Sequence, residues 1–210
     1  MKIRNKIISL FASTAIISCA AATNVLAQAK NFAGPSLAIY GGYTGTNTDV
    51  TYTTTTLSLG QNDTVYGGDL SYGIPLDNNF FVSIGATYDL EKTKAGRIGA
   101  GASSINLTLD EHYSFYIQPS YAINNTSAIF AKLGYHKAEG KISVSYDGQT
   151  ASGTKDFDAW GYGLGVKTFL NNNVFIQAEA SFVDFDKETE DGVGFKPEVA
   201  AGIISIGYKF

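Results

Sequence analysis

The fold is decided by the segment Gly202-Ile203-Ile204-Ser205-Ile206-Gly207-Tyr208-Lys209-Phe210. Its large apolar side chains occupy every second position, at Ile204, Ile206, Tyr208 and Phe210. Small and polar residues fill most of the positions between them. A period of two predicts a β-strand with one apolar face and one face that is partly polar.

The same alternation recurs upstream in seven further stretches of the chain. Most of these stretches have about the ten residues, or slightly more, that a tilted strand needs to cross a membrane. Frequent glycines and β-branched and aromatic residues disfavour helix throughout. The eight predicted strands are Ser36–Thr44, Thr64–Leu76, Phe80–Glu91, Leu107–Ile123, Ala128–Lys137, Phe157–Leu170, Val174–Phe185 and Pro197–Phe210.

The connections between these stretches alternate in length. Three are short and rich in asparagine, which tolerates the positive φ angles of tight hairpin turns: residues 77–79, 124–126 and 171–173. Four are long and polar, and we expect them to be loops: Gly45–Asp63, Lys92–Asn106, Ala138–Asp156 and Asp186–Lys196. Short turns on one side and long loops on the other are typical of a transmembrane barrel.

The terminal aromatic strand and this layout resemble the small outer-membrane β-barrels, a superfamily with OmpA-like transmembrane domains, OmpX-type proteins and opacity-like surface proteins. The resemblance implies an eight-stranded antiparallel barrel in the outer membrane of a Gram-negative bacterium, with both termini periplasmic. It identifies Ile206, Tyr208 and Phe210 as a barrel-assembly signal. The implied partners are outer-membrane lipids, lipopolysaccharide, periplasmic chaperones, the barrel-assembly machinery and a surface ligand bound by the four loops.

The first 27 residues have the pattern of a secretory signal peptide. Three basic residues precede the uncharged stretch Ile7–Ala22, which is short for a membrane-spanning helix. Small residues at Val25 and Ala27 predict cleavage after Ala27, which leaves residues 28–210 as one barrel domain. An alternative is a lipoprotein site, in which Cys19 would be lipidated instead of removed.

Composition excludes several functions. The predicted signal carries three of the fifteen Lys and Arg residues and no Asp or Glu. The barrel domain therefore contains twelve basic and nineteen acidic residues. This acidic balance gives no reason to expect nucleic acid as a partner. The only cysteine is Cys19. The barrel domain therefore offers no disulfide or thiol nucleophile, and we expect no metal or other cofactor.

The inward phase of the predicted strands carries both small and charged residues. Nine glycines fall on it, as a narrow barrel requires: Gly42, Gly67, Gly73, Gly85, Gly134, Gly161, Gly163, Gly165 and Gly207. Buried charges persist only when they are paired. We therefore predict a polar lumen network of Asp69, Gln118, Lys132, Lys167 and Glu179. This network is either a plug in place of an apolar core or a gate for ions and small solutes.

One pair of residues offers an enzymatic alternative. His112 and Ser114 resemble the His-x-Ser pair of outer-membrane lipid A deacylases, in which histidine activates serine at the lipid face. Here Tyr113 and Phe115 take the lipid-facing phase, which turns His112 and Ser114 inward. The favoured function is therefore a non-enzymatic structural or adhesive surface barrel. A narrow channel is the alternative, and lipid A deacylation is the remote one.

Overall fold

The computed structural model describes most of the chain, namely residues 29–52, 55–100, 103–146, 149–190 and 193–210. The predicted signal segment, its cleavage after Ala27 and the alternative at Cys19 lie outside these residues. No helix among the described residues is long and apolar enough to span a membrane.

The described chain is almost entirely β-strand. A single 3-10 helix, Ala29–Phe32, precedes the first strand. The strands are β1 Gly34–Tyr52, β2 Thr55–Pro75, β3 Phe80–Asp89, β4 Thr93–Ala100, β5 Ser103–Ala122, β6 Ser127–Tyr146, β7 Gln149–Phe169, β8 Val174–Phe185, β9 Glu188–Glu190 and β10 Val193–Lys209.

Eight of the strands form a closed antiparallel ring. Its order is β1-β2-β3-β5-β6-β7-β8-β10, and pairing of β1 with β10 closes it. The two short strands follow β3 and β8 along the chain, β4 pairing with β5 and β9 with β10. The predicted eight-stranded antiparallel barrel is therefore confirmed, and closure removes the unpaired edges that lipid cannot solvate.

An apolar band surrounds one half of the barrel. On β7 the outward side chains Trp160, Tyr162, Leu164 and Val166 are all exposed, Leu164 to 68%. The next outward residue beyond Trp160 is Asp158, and the remaining outward positions are polar. Exposed apolar side chains at every second position suit a lipid environment, and the change at Trp160 marks the edge of the band.

The strands continue well beyond this band. β1 has 19 residues and β7 has 21, about twice the length that a bilayer requires. The prediction of four long loops is therefore wrong. Register pairs reach Tyr52–Thr55, Ala100–Ser103, Tyr146–Gln149 and Glu190–Val193. The sequence loses its apolar alternation there because both faces leave the lipid, yet the backbones still pair.

The barrel therefore has two different ends. The turn end carries the three short connections and lies beside Ala29 and Phe210, and the hairpin end carries the four extended hairpins. The turns lie where the sequence predicts them, but asparagine acts there in another way. Glu111 is the only described non-glycine residue with positive φ. Asn124 and Asn171 instead accept backbone hydrogen bonds through their side-chain oxygens, as Ser127 N–H donates to Asn124 at 2.8 Å.

Two apolar clusters lie inside the barrel, one at each end. The turn-end cluster is Ala29, Phe32, Ala38, Phe81, Ala122, Ala128, Phe169 and Phe175. In it, Phe32 of the short helix stacks on Phe81 with 4.8 Å between ring centroids. The hairpin-end cluster is Ala95, Leu107, Leu109, Ala138, Phe157, Ala159, Val183 and Phe185. Apolar side chains therefore fill the interior near both ends.

A β-bulge in β5 separates the two halves. The register with β6 shifts between Asp110 and Tyr113, and Glu111 has a φ of 47°. On the turn-end side of the bulge the buried residues include Ser114, whereas on the hairpin-end side they include Leu109. The extra residue changes which side chains face inward without breaking the strand.

The inward glycines give a direct stability test. A Cβ at Gly165 would lie 2.3 Å from the Ala178 carbonyl oxygen and 2.3 Å from the Phe130 ring, whereas one at Gly153 would meet nothing within 4 Å. Gly165→Ala should therefore lower the free energy of unfolding by about 1–3 kcal/mol. The control Gly153→Ala should stay within about 0.5 kcal/mol of the parent. Urea unfolding followed by Trp160 fluorescence measures both, and equal losses would contradict the narrow lumen.

Candidate functional site

A polar layer lies between the two apolar clusters. It surrounds a cavity of about 100 Å³, which is room for a few water molecules. Side chains from six ring strands (β1, β2, β3, β5, β6 and β8) contribute the charged, histidine and tyrosine groups of its lining: Tyr40, Asp69, Asp89, His112, Lys132, His136 and Glu179.

The shortest charged contact in this layer joins Lys132 and Glu179. The Lys132 Nζ atom lies 2.5 Å from Glu179 Oε2, and both side chains are nearly inaccessible to solvent. Gln177 Nε2 lies 3.5 Å from the same oxygen. Lys132 is on β6 and Glu179 on β8, so the pair reaches across β7 at Gly163, where a Cβ would lie 2.9 Å from the Glu179 carboxylate. The pair needs a glycine between its strands.

The other predicted network residues are inside the barrel but are arranged differently. Asp69 accepts hydrogen bonds from the Tyr116 hydroxyl at 2.8 and 3.0 Å. Lys132 Nζ lies 4.5 Å from the centroid of the Tyr116 ring, which links Asp69 to the ion pair. Gln118 is buried at 2% exposure.

Lys167 does not join the ion pair. Its Nζ atom lies 4.3 Å from the centroid of the Phe175 ring, in the direction of the turn-end cluster. No carboxylate of the described residues lies within ion-pair distance of it. The structure therefore pairs Lys132 with Glu179 and links Asp69 to them through Tyr116, whereas Lys167 forms no ion pair with either carboxylate.

A second polar group, nearer the hairpin end, is absent from the sequence prediction. The Tyr40 hydroxyl donates to Asp89, and His112 Nδ1 donates to the other Asp89 oxygen at 2.7 Å. His112 Nε2 lies 3.0 Å from His136 Nδ1, and the two imidazole rings are parallel. We call Tyr40, Asp89, His112 and His136 the histidine chain.

The alternation of side chains along the strands could have predicted part of the histidine chain. Tyr40 shares the inward phase of Gly42, and His136 shares that of Gly134. The inward tyrosines Tyr40 and Tyr116 carry no charge, so a search for charged residues on the inward side of the strands does not find them. The contact between His112 and His136 carries no signal in the sequence, because the β5 bulge sets it.

The His112–Ser114 pair has no arrangement for nucleophilic catalysis. Ser114 is buried and its hydroxyl lies 2.6 Å from that of Thr87. The two nitrogens of His112 contact Asp89 and His136 rather than Ser114. A serine nucleophile needs a base within hydrogen-bond reach and a substrate that can approach it. Both residues face the lumen, away from lipid.

No group of three or more His, Cys, Asp or Glu side chains in the described part of the chain is arranged to hold a metal ion.

The residues predicted as an assembly signal lie on the outer surface at the turn end. Ile206, Tyr208 and Phe210 are exposed, and the rings of Tyr208 and Phe210 pack edge to face at 5.2 Å.

Several charged pairs lie on the outside of the hairpin end. Lys92 donates a hydrogen bond to Asp110, which lowers the pKa of that carboxyl. Lys196 Nζ lies 2.8 Å from Asp184, and this hydrogen bond raises the pKa of the Lys196 ammonium. Such a surface is suited to water rather than to lipid.

The lumen ion pair predicts a large effect of neutralising one partner. Glu179→Gln should lower the free energy of unfolding by about 3–5 kcal/mol, because it leaves the Lys132 ammonium buried without its counter-charge. The double variant with Lys132→Met should recover most of that loss. Urea unfolding followed by Trp160 fluorescence is the measurement.

A surface pair supplies the control. Asp158→Asn breaks the Lys137–Asp158 contact, which is 3.4 Å long and roughly 40% exposed on each side. It should cost no more than about 1 kcal/mol. If Glu179→Gln unfolded at the same urea concentration as Asp158→Asn, the buried pair would have no special role in stability.

Comparisons with known proteins give the following matches. Residues 10–210 match the family described as outer membrane protein beta-barrel domain. Among solved structures, the chain is 22% identical to Ail, the attachment invasion locus protein of Yersinia pestis, over 85% of this chain and 99% of that one, with a TM-score of 0.47. It is 13% identical to OprG of Pseudomonas aeruginosa, over 89% and 99%, with a TM-score of 0.48.

Neisserial surface protein A is also similar, at 18% identity over 82% of this chain and 99% of that one, with a TM-score of 0.34. A comparison with curated protein sequences finds no match. The family match covers nearly the whole chain and agrees with the closed ring and its apolar band. The chain therefore belongs to the outer-membrane β-barrel domain family, and it resides in the outer membrane.

Proposed function

We propose that this protein is a non-conducting barrel that acts at the cell surface through its hairpin end. The observation that carries the proposal is the contrast between the two halves of the molecule. The interior is occupied by two apolar clusters with a cavity of only about 100 Å³ between them, whereas the hairpin end extends about ten residues of each long strand beyond the apolar band. In outer-membrane barrels the short turns face the periplasm, so the hairpin end faces outward.

The filled interior supports a structural rather than a conducting role. An ion entering from the turn end would meet Phe32, Phe81 and Phe169, and one entering from outside would meet Phe157 and Phe185. The polar layer between them is held by the Lys132–Glu179 pair and the histidine chain. Displacing these side chains costs packing as well as hydrogen bonds.

Conductance measurements test this part of the proposal. The full mature chain in a planar bilayer should give no stepwise current above the lipid background, because both ends of the lumen are filled by packed side chains. Glu179→Gln should also give none, although it destabilises the barrel. A general porin inserted under the same conditions is the positive control.

A narrow channel for ions or small solutes is the second candidate function. The cavity of about 100 Å³, which charged and apolar side chains line together, favours it, because a permeant could occupy that space between two gates. Discrete current steps from the wild-type chain would overturn the plug and support the channel. Steps that grow in Phe32→Ala would identify the turn-end cluster as the gate.

The surface role is tested by shortening one hairpin. Removing residues 142–153 and joining Lys141 to Thr154 through Asn-Gly keeps the register of β6 and β7 below the cut, where Lys141 pairs with Thr154. Cells that display the shortened barrel should adhere to a monolayer of cultured epithelial cells at least tenfold less than cells that display the wild type. The surface amount of each barrel is matched with an antibody.

The matched control is the shortening of another hairpin. Removing residues 50–57 and joining the register partners Asp49 and Ser58 through Asn-Gly truncates the β1–β2 hairpin, by eight residues instead of twelve. We expect adhesion to depend more on the β6–β7 hairpin than on the β1–β2 hairpin. If neither shortening reduced adhesion below that of wild type, the hairpin end would not be the binding surface.

Three further parts of the proposal concern the partners and the absence of catalysis. The exposed terminal residues Ile206, Tyr208 and Phe210 support recognition by periplasmic chaperones and the barrel-assembly machinery. The aromatic and apolar band supports contact with outer-membrane lipids and lipopolysaccharide. The inward orientation of His112 and Ser114 supports a non-enzymatic protein, and an unchanged lipid A mass in expressing cells is the expected result.

A further inference from the structure

The sequence contains two histidines, His112 and His136, and the fold brings them into contact. Their rings are parallel to within 6°, with 3.0 Å between His112 Nε2 and His136 Nδ1 and 5.2 Å between the ring centroids. The centroid separation is close to the sum of the nitrogen–nitrogen distance and the two ring radii. The two nitrogens therefore face each other nearly in line, as a linear N–H···N hydrogen bond requires.

This contact has room for one proton. His112 Nδ1 donates to Asp89, which fixes the orientation of the His112 ring. When both imidazoles are neutral, His136 Nδ1–H donates to the lone pair of His112 Nε2. When His112 is charged, its Nε2–H donates to His136 instead. When both rings are charged, two N–H groups point at each other and no hydrogen bond forms. The pair therefore tolerates one positive charge but not two.

The surrounding groups hold both rings at this separation. A Cβ on Gly134 would lie 2.9 Å from His136 Nε2, and one on Gly161 would lie 2.5 Å from the same atom. His136 therefore lies against two glycine backbones and cannot retreat on that side. The His112 ring packs edge to face on Phe185 of the hairpin-end cluster, with 6.4 Å between centroids. Two charged rings would separate by moving into the cavity that both line or by displacing Phe185.

The other titratable groups around the cavity do not supply His136 with a counter-charge. Asp89 already accepts from Tyr40 and His112, and Glu179 is paired with Lys132. A positive charge on His136 would therefore lack a carboxylate partner among the described residues. Besides the histidines, the titratable residues that line the cavity are Tyr40 of β1, Asp69 of β2, Asp89 of β3, Lys132 of β6, Tyr162 of β7, whose side chain is exposed outside, and Glu179 of β8.

We propose that His112 and His136 form an acid-sensitive latch next to the hairpin-end cluster. With one proton between the rings the latch is closed. When acid charges both rings they separate, the packing of His112 on Phe185 is lost, and water reaches the cavity from the hairpin end. The turn-end cluster stays in place, so the latch is compatible with a non-conducting barrel. It goes beyond the proposed function, because surface adhesion does not require it.

Nuclear magnetic resonance of the full mature chain in detergent tests the shared proton. With the heavy nitrogen isotope in histidine alone, every side-chain signal comes from the latch. At about pH 7.5, one unit above the ordinary pKa of histidine, we expect a scalar coupling between nitrogens of the two rings through the N–H···N bond. The coupling should disappear in acid as the second ring becomes charged. Two rings that titrate independently without any coupling would overturn the proposal.

Urea unfolding followed by Trp160 fluorescence tests the effect of acid on stability. Below about pH 6.5 the unfolded chain protonates both histidines, whereas the closed latch holds one proton fewer. Stability therefore falls as the pH falls, and the unfolding equilibrium constant should rise about tenfold between about pH 6 and pH 5. His136→Gln keeps an amide that can donate to His112 but does not titrate, so it should remove this rise. An equal rise in both proteins would contradict the latch.

A cysteine in place of Ser181, which faces the cavity, measures the opening itself. Cleavage after Ala27 removes Cys19, so this thiol is the only one in the mature chain. At about pH 5 a charged thiol reagent should modify Ser181→Cys at least tenfold faster than the same cysteine combined with His136→Gln. The comparison is made at one pH because acid itself lowers the thiolate fraction. At about pH 7.5 both proteins should react slowly. Equal rates at both pH values would overturn the opening.

Heat-dependent gel migration establishes that each variant is folded. If His136→Gln fails to fold, the magnetic resonance experiment still decides the matter on the wild type. None of these measurements involves adhesion, so their failure would leave the proposed function unaffected. A negative result in the hairpin-shortening experiment would likewise leave the latch unaffected.

Discussion

The hydrocarbon interior of a membrane offers no hydrogen-bond partner to a peptide group. Every N–H and C=O in the spanning half must therefore find its partner within the protein, and a strand protein meets this condition only by closing its sheet. Pairing of β1 with β10 completes that closure. Beyond the apolar band water replaces lipid and the condition no longer applies, and there the pairing of β7 with β8 ends at Ala159–Phe185.

The closed ring also determines what can fill the interior. Eight strands leave space for side chains and little else, so a bulky group on one strand requires a glycine on a neighbour. Phe130 packs where Gly165 has no side chain, and Glu179 where Gly163 has none. The charges of Lys132 and Glu179 can be buried because they meet each other. The polar layer is thus a core in which ionic contacts take the place of part of the apolar packing.

Much of this fold could be predicted because lipid imposes a strict pattern on sequence. Alternation at Trp160, Tyr162 and Leu164 indicated both the strand and its outward face. The same rule failed above the membrane, where polar residues such as Thr150 and Thr154 can lie in a paired strand or in a loop. In the lumen, the alternation of side chains along each strand predicts that Lys132, Lys167 and Glu179 point inward. It does not predict distances across the barrel, so it could not show that Lys167 lies over Phe175 and not beside Glu179.

The bulge at Glu111 has a consequence for how the protein can vary. One extra residue in β5 lies at the bulge. Even-numbered side chains therefore face inward on the turn-end side of the bulge, and odd-numbered side chains face inward on the hairpin-end side. A later insertion or deletion at this point would rotate the facing of the outer half by one position and leave the lipid-facing residues from Tyr113 onward unchanged. The bulge therefore separates two regions that can diverge independently, a membrane anchor bound by the alternation that lipid requires and an exterior that is free to acquire new surface chemistry.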